Sequence, residues 1–230
     1  MRIRTLILCL TLPGFLGASG DDLKAARDRQ DRATLEKMAA DFAATASKQS
    51  NDAAAEAKLA LAQSYLAEVA TEMKDKAGAK NAAESGIQAA QKAVALKPDV
   101  AEYHRVLGTL CGQVIPAGGV VSGLKWGKCA MDEVNKAVSL DPNSADVYVS
   151  RGVGNYYLPP SFGGGPELAV KDFEKAIELN PKSAEAHMWL GIALRKLNRN
   201  ADAHQELEKA VALNPNRIWA KQQLEKTPAN

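Results

Sequence analysis

Along most of the chain, apolar and small residues recur every three or four positions, the spacing of helices that bury one face. The clearest stretch is 184–215, where Ala186, Leu190, Gly191 and Leu194 precede a polar break near 198–200 and Ala203, Leu207, Ala210 and Leu213 follow it. This predicts a helix, a turn and a second helix. The second helix closes on a phrase, Lys-Ala-(Val or Ile)-x-Leu-x-Pro, that occurs four times, at 92–98, 136–142, 175–181 and 209–215. A repeated phrase implies a repeated structural unit.

Each phrase-ending proline is followed three residues later by the start of a unit or of the last helix, at Ala101, Ala145, Ala184 and Ile218. The joints are therefore constant. The prolines themselves are 44, 39 and 34 residues apart. Compared with 184–215, this predicts about 12, 10 and 5 extra residues in units 55–98, 101–142 and 145–181, placed at the turn between the two helices of each. Leu35, Met38, Ala39, Phe42 and Ala46 share one face and predict an amphipathic helix over about 33–47, the cap of segment 21–54, after a charged lead-in. Ile218, Ala220 and Leu224 predict a closing helix within 216–230, with a loose tail from Thr227. The fold class expected is all-α, a solenoid of antiparallel helix pairs capped at both ends.

The signature positions resemble those of the tetratricopeptide repeat. They are His187, Leu190, Gly191, Leu194, Ala203, Leu207, Ala210 and Pro215 in the fourth unit, and His104, Leu107, Gly108, Ala130, Val134, Ala137 and Pro142 in the second. The third unit matches through Tyr148, Gly152, Ala169, Phe173, Ala176 and Pro181, but Arg151 and Asn155 stand where the pattern is apolar; the first matches through Leu61, Ala62, Tyr65, Ala93 and Pro98. The resemblance implies a right-handed superhelix that holds a peptide or protein partner on its concave face. On that face it implies Leu59, Gln63, Arg105, Thr109, Val149, Val153, Tyr156, Met188, Ile192 and Arg195. The turn edge adds Trp126, Pro160, Phe162 and Gly164 from two Gly-rich inserts, which look similar to those of exported bacterial tetratricopeptide proteins and of the regulators of microtubule dynamics. Such inserts either pack on each other or form a partner patch.

The first 20 residues are a different object. Arg2 and Arg4 precede an apolar run from Leu6 to Leu12 and the small residues Gly17 to Gly20, the pattern of a secretory leader cleaved before Asp21; an uncleaved anchor is the alternative. The expected protein is exported, periplasmic or secreted, with no stable transmembrane span once mature. Of 29 basic and 27 acidic residues, two arginines leave with the leader, so the mature chain is neutral. A nucleic-acid partner is not expected from that balance. Charged side chains read as solvated helix faces, and Glu102, Asp146 and Glu185 as dipole-complementing residues or as an acidic stripe. Cys111 and Cys129 remain after export, either as a disulfide across a helix hairpin or as two small buried residues.

No catalytic residue, metal site or cofactor is expected. Gly118 and Gly123 have the outer spacing of a P-loop, but Leu124 and Lys125 stand where Lys and then Ser or Thr are required. His104, His187 and His204 lie on separate helices, and Ser161 beside Gly163 does not make a nucleophile elbow. The reading is a non-enzymatic scaffold for a protein partner. The alternatives are a small-molecule binder whose pocket the inserts close, and a structural part that makes its contacts through the caps.

Overall fold

The computed structural model describes residues 20–229, apart from the side chains of 117, 118 and 120. The expected leader thus lies outside the described residues, except Gly20. The helices are α1 (Gly20–Asp28), α2 (Arg32–Lys48), α3 (Ala53–Glu72), α4 (Lys76–Leu96), α5 (Ala101–Leu140), α6 (Ala145–Tyr157), α7 (Pro166–Leu179), α8 (Ala184–Lys196), α9 (Asn200–Leu213) and α10 (Ile218–Glu225). Local chemistry sets several starts: Asp31, Asp52, Asp75 and Ser183 each accept a hydrogen bond from a backbone N–H of the first turn that follows.

Helix α5 is two helices folded back on each other at Gly119, whose φ of 61° and ψ of −147° only glycine adopts readily. Its arms, 101–118 and 120–140, pair closely. A Cβ on Gly108 would stand 2.9 Å from the Val134 backbone nitrogen and 3.0 Å from the Ala130 oxygen. Cys111 and Cys129 form a disulfide between the arms, with their Cα atoms 6.0 Å apart. The pairs α3–α4, the two arms of α5, α6–α7 and α8–α9 stack in order, and the apolar core runs through them as contiguous clusters.

The extra residues are not all in turns. In the first unit the turn is only Met73, Lys74 and Asp75, and α3 and α4 are 20 and 21 residues long, against 13 and 14 for α8 and α9. In the second unit the insert is likewise helical on both sides of Gly119. Helix closes its own backbone hydrogen bonds, so lengthening a packed pair is cheaper than burying an irregular loop. Only in the third unit does the insert form a loop, Leu158 to Gly165, with a single 3-10 turn at Pro160–Phe162 and positive φ at Gly163 and Gly165.

The ends also differ from expectation. The charged lead-in is helix α1, whose Leu23 and Ala26 are buried with Leu35, Met38, Leu66 and Val69. The first residue of the expected tail is anchored: buried Thr227 accepts from Arg195 at 2.7 Å, and its carbonyl lies 2.8 Å from His204 Nδ1, while Pro228 and Ala229 are exposed. Lys74 closes its turn at φ 63°, as Asn198 does at 61°. A side chain with a Cβ is strained there and Asn tolerates it best. Lys74→Gly is therefore expected to stabilise the protein by about 0.5–1 kcal/mol, less than the full left-handed penalty because glycine also loses more entropy on folding. Urea unfolding checks this, with no gain as the contrary result.

Candidate functional site

The first helices of the four units, α3, the 101–118 arm, α6 and α8, line the inner face. Adjacent ones are linked by polar contacts: Ser64 Oγ with Gln113 Oε1 at 3.2 Å, Arg105 Nη1 donating to Ser150 Oγ at 3.2 Å, and Thr109 Oγ1 3.4 Å from the same hydroxyl. Arg105 is also held by Glu102, through two hydrogen bonds of 2.6 Å. Val149 and Val153 are half-buried, and Tyr156 packs on Trp189 at 6.0 Å with the Lys196 ammonium 4.3 Å over its ring. Met188 and Ile192 are core residues packed with Leu207, Ala210 and Ala220, which removes them from a surface that a partner reaches. Arg195 faces the C-terminal helix, donating to the Gln223 carbonyl at 3.1 Å and to Gln223 Oε1 at 2.7 Å.

Arg151 and Asn155, polar where the repeat is usually apolar, converge on Asp172 of α7. Arg151 grips it through Nε at 3.0 Å and Nη2 at 2.5 Å, and Asn155 donates at 2.8 Å. Each departure from the pattern thus has its partner inside the unit.

Between the ends of the superhelix lies an ion cluster that does not follow the expected solvated-face reading of charge. Arg217, 1% exposed at the start of α10, reaches Glu68 at 2.5 Å, Glu72 at 2.5 Å and Glu185 at 3.0 Å. Arg27, at the end of α1, reaches Glu185 at 3.0 Å and Glu68 at 3.6 Å, with its guanidinium 5.1 Å over the Tyr65 ring. Asn214 donates to Asp28 at 2.7 Å, and Gln30 to Glu72 at 2.9 Å. Residues 186 apart in sequence are thereby in contact. Glu185 is neither a free stripe nor a mere dipole partner; it joins α1, α8 and α10.

Carboxylates outnumber the guanidiniums in this cluster. Burial pushes the Glu72 carboxyl up to about 7, against the opposing pull of Arg217 and with a further push from Glu68. Burial also works against the charge on Glu185, but Arg27 and Arg217 hold it below its ordinary 4.5. A carboxyl raised in the folded state contributes stability that is full below the ordinary range and lost as pH rises through the raised value; a depressed one contributes stability that is lost as pH falls. The contribution of these two groups is therefore expected to be greatest near pH 4.5, to fall as pH rises from there to about 7 as Glu72 loses its advantage, and to fall below 4.5 as Glu185 is protonated. Melting temperature against pH checks this, and Glu72→Gln should flatten the alkaline side; an unchanged alkaline slope in that variant would remove Glu72 as its source.

Among the described residues, the most exposed large apolar side chains lie at the inter-helix turns. Val121 and Leu124 on the returning arm of α5 are 75% and 83% exposed, and Phe162 on the 3-10 turn is 76% exposed beside exposed Pro160. Gly164 is half-buried against the Leu158 backbone and serves the turn itself. Trp126 is not an exposed anchor: it packs on the α5 core beside Cys129, with the Lys125 ammonium 4.7 Å from its ring centroid. Sequence reasoning missed Val121 and Leu124, although their apolar side chains in the Gly-rich stretch were the available signal.

Among the described residues, no group of three or more His, Cys, Asp and Glu side chains is placed to hold a metal ion, and no helix is long and apolar enough to cross a membrane.

Stacked helix pairs with glycine at each close crossing and proline at each joint make this a tetratricopeptide-repeat protein, and the model of that repeat matches residues 163–218. The model described as Regulator of microtubule dynamics protein 1-3 matches residues 21–158, and the chain belongs to that family. No curated protein matches the sequence. Among solved structures, a thermophilic tetratricopeptide-repeat protein of Thermus thermophilus is similar with a TM-score of 0.61 at 15% identity, over 88% of this chain and 97% of that one. The HusA haemophore from Porphyromonas gingivalis is similar with a TM-score of 0.58 at 18% identity, over 79% of this chain and 96% of that one. At these identities the likeness is one of fold. That fold is a protein-interaction scaffold, and proteins built on it typically bind protein or peptide partners.

Proposed function

We propose that the protein is an exported, non-enzymatic adaptor of the cell envelope that binds a protein partner through the edge formed by its inter-helix turns, together with the inner face. The observation that carries this reading is the exposure of Val121, Leu124 and Phe162 on rigid supports. Large apolar side chains left exposed at the inter-helix turns of a packed scaffold are candidates for an interaction surface. One support is a helix hairpin pinned by Cys111–Cys129, and the other is a short loop closed by the Gly163 N–H donating to the Pro160 carbonyl at 3.0 Å. The leader-like pattern of Arg2, Arg4 and the run Leu6–Leu12 supports export, as does a paired disulfide, which an oxidising compartment maintains.

The test is crosslinking mass spectrometry on the tagged protein in its native envelope, with the exposed Lys125 and Lys128 at the edge as reporters. A stoichiometric protein crosslinked to these lysines is the expected result. Crosslinks confined to the caps, or no enriched partner, would contradict the reading. N-terminal sequencing of the same sample tests export, with Asp21 as the expected first residue.

A further inference from the structure

Helix α1 meets both the beginning and the end of the repeat stack. Its apolar side rests on α2 and α3 through Leu23 and Ala26. Its last residues cross to the opposite end, where Arg27 pairs with Glu185 of α8 and Asp28 takes a hydrogen bond from Asn214, next to α10. Both α3 and α8 are inner helices. Arg27, only 5% exposed, therefore fills space between their inner faces, covering Tyr65 on one side and Glu185 on the other. The other side-chain ties at this end are polar as well, Arg27 with Glu68 at 3.6 Å and Gln30 donating to Glu72 at 2.9 Å, and α1 is nine residues long, a length at which a helix is marginal by itself.

We propose that α1 is a strap clasped across the inner face of the superhelix, and that its release, with the repeats unchanged, uncovers that face for a partner that presents an arginine to the same clasp. This rests on the reading that the partner meets the inner face. The clasp specifies the partner's chemistry. With α1 lifted away, Glu68, Glu72 and Glu185 remain around the single bonded guanidinium of Arg217, and Tyr65 offers an aromatic face at the position Arg27 covers. A planar cation that pairs with two carboxylates and lies over a ring suits that surface; a lysine matches it less well.

The groups around Glu72 make the clasp responsive to pH. Facing it are Arg217 from α10, Glu68 from its own helix and Gln30 from the turn after α1, with Arg27, Asp28 and Glu185 completing the cluster. Opening returns Glu72 to water and lets it lose its proton. Rising pH therefore favours the released strap.

Hydrogen exchange read by mass spectrometry tests this on the full chain. In Arg27→Gln and in Glu185→Gln, the amides of α1 should exchange at least about ten-fold faster, with α5 to α9 keeping wild-type protection. In the wild type, raising pH from about 5.5 to about 8.5 should lower α1 protection, after correction for intrinsic exchange, and Glu72→Gln should abolish that dependence. A labelled peptide of residues 20–30 should bind the Arg27→Gln protein at least about ten-fold more tightly than the wild type, and the same peptide carrying glutamine for Arg27 should not. Unchanged α1 exchange in both variants, or loss of protection spread equally over α5 to α9, would overturn the strap. If a variant does not fold, the wild-type pH series and the folded Glu72→Gln protein decide alone. A strap that opens as described in a protein without any envelope partner would leave the strap standing but remove the adaptor reading and, with it, the arginine-bearing partner.

Discussion

Arg217→Ala is expected to destabilise the protein by about 3–5 kcal/mol, the range for removing one partner from a buried ion pair. The guanidinium is 1% exposed and serves Glu68, Glu72 and Glu185 at once, so its loss leaves like charges facing each other in a dry site. Water does not reach them readily, and protonation would become the main relief. Arg217→Lys should recover only part of the loss, because a single ammonium cannot span carboxylates from α3 and α8 with a planar fork. Equilibrium urea unfolding followed by circular dichroism measures both. A loss below about 1 kcal/mol for the alanine variant would mean that the cluster is solvated in solution and that the two ends of the stack are not held by it.

The second large effect is expected inside the third unit. Phe173 is fully buried, and its ring lies where a Cβ on Gly152 would stand 2.5 Å from Cε1. Phe173→Ala is expected to cost about 3–5 kcal/mol through lost burial and the cavity left behind. Gly152→Ala forces the ring and α6 apart and is expected to cost about 1–3 kcal/mol. The double variant should be more stable than the sum of the two predicts, since the added methyl enters space that the ring has vacated. Strict additivity in urea unfolding would show that the two residues do not meet at this crossing.

The repeat was legible because its determinants are local. Glycine at 108, 152 and 191, alanine at 137, 176 and 210, and proline after each second helix act within one unit, so their spacing reads directly from the chain. The inserts were harder to read. Gly112, Gly118, Gly119, Gly123 and Gly127 suggest a loop, but only Gly119 leaves the helical conformation, because pairing of the two arms around Cys111, Val114 and Ala130 outweighs the modest helix cost of each glycine. The ion cluster was not legible at all. Arg27, Glu72, Glu185 and Arg217 look like ordinary solvated charges in sequence, and only the curvature of the superhelix brings them together. The same curvature turned Met188, Ile192 and Arg195 from expected groove residues into supports for α10, a helix whose docking position no local pattern specifies.

At the turn edge, packed residues and exposed ones are distinct. Replacing Trp126 disturbs the α5 core, whereas Leu124 and Phe162 are exposed enough that their substitution should leave folding intact. The most direct measurement is therefore quantitative crosslinking in the native envelope, comparing wild type, Leu124→Asp, Phe162→Ala and, as a distant exposed apolar control, Leu213→Asp. If the edge is the interaction surface, the partner's crosslinks fall at least about ten-fold in the first two variants and persist in the third, with unchanged melting temperatures. Equal capture by all four proteins would contradict a partner site on the turns.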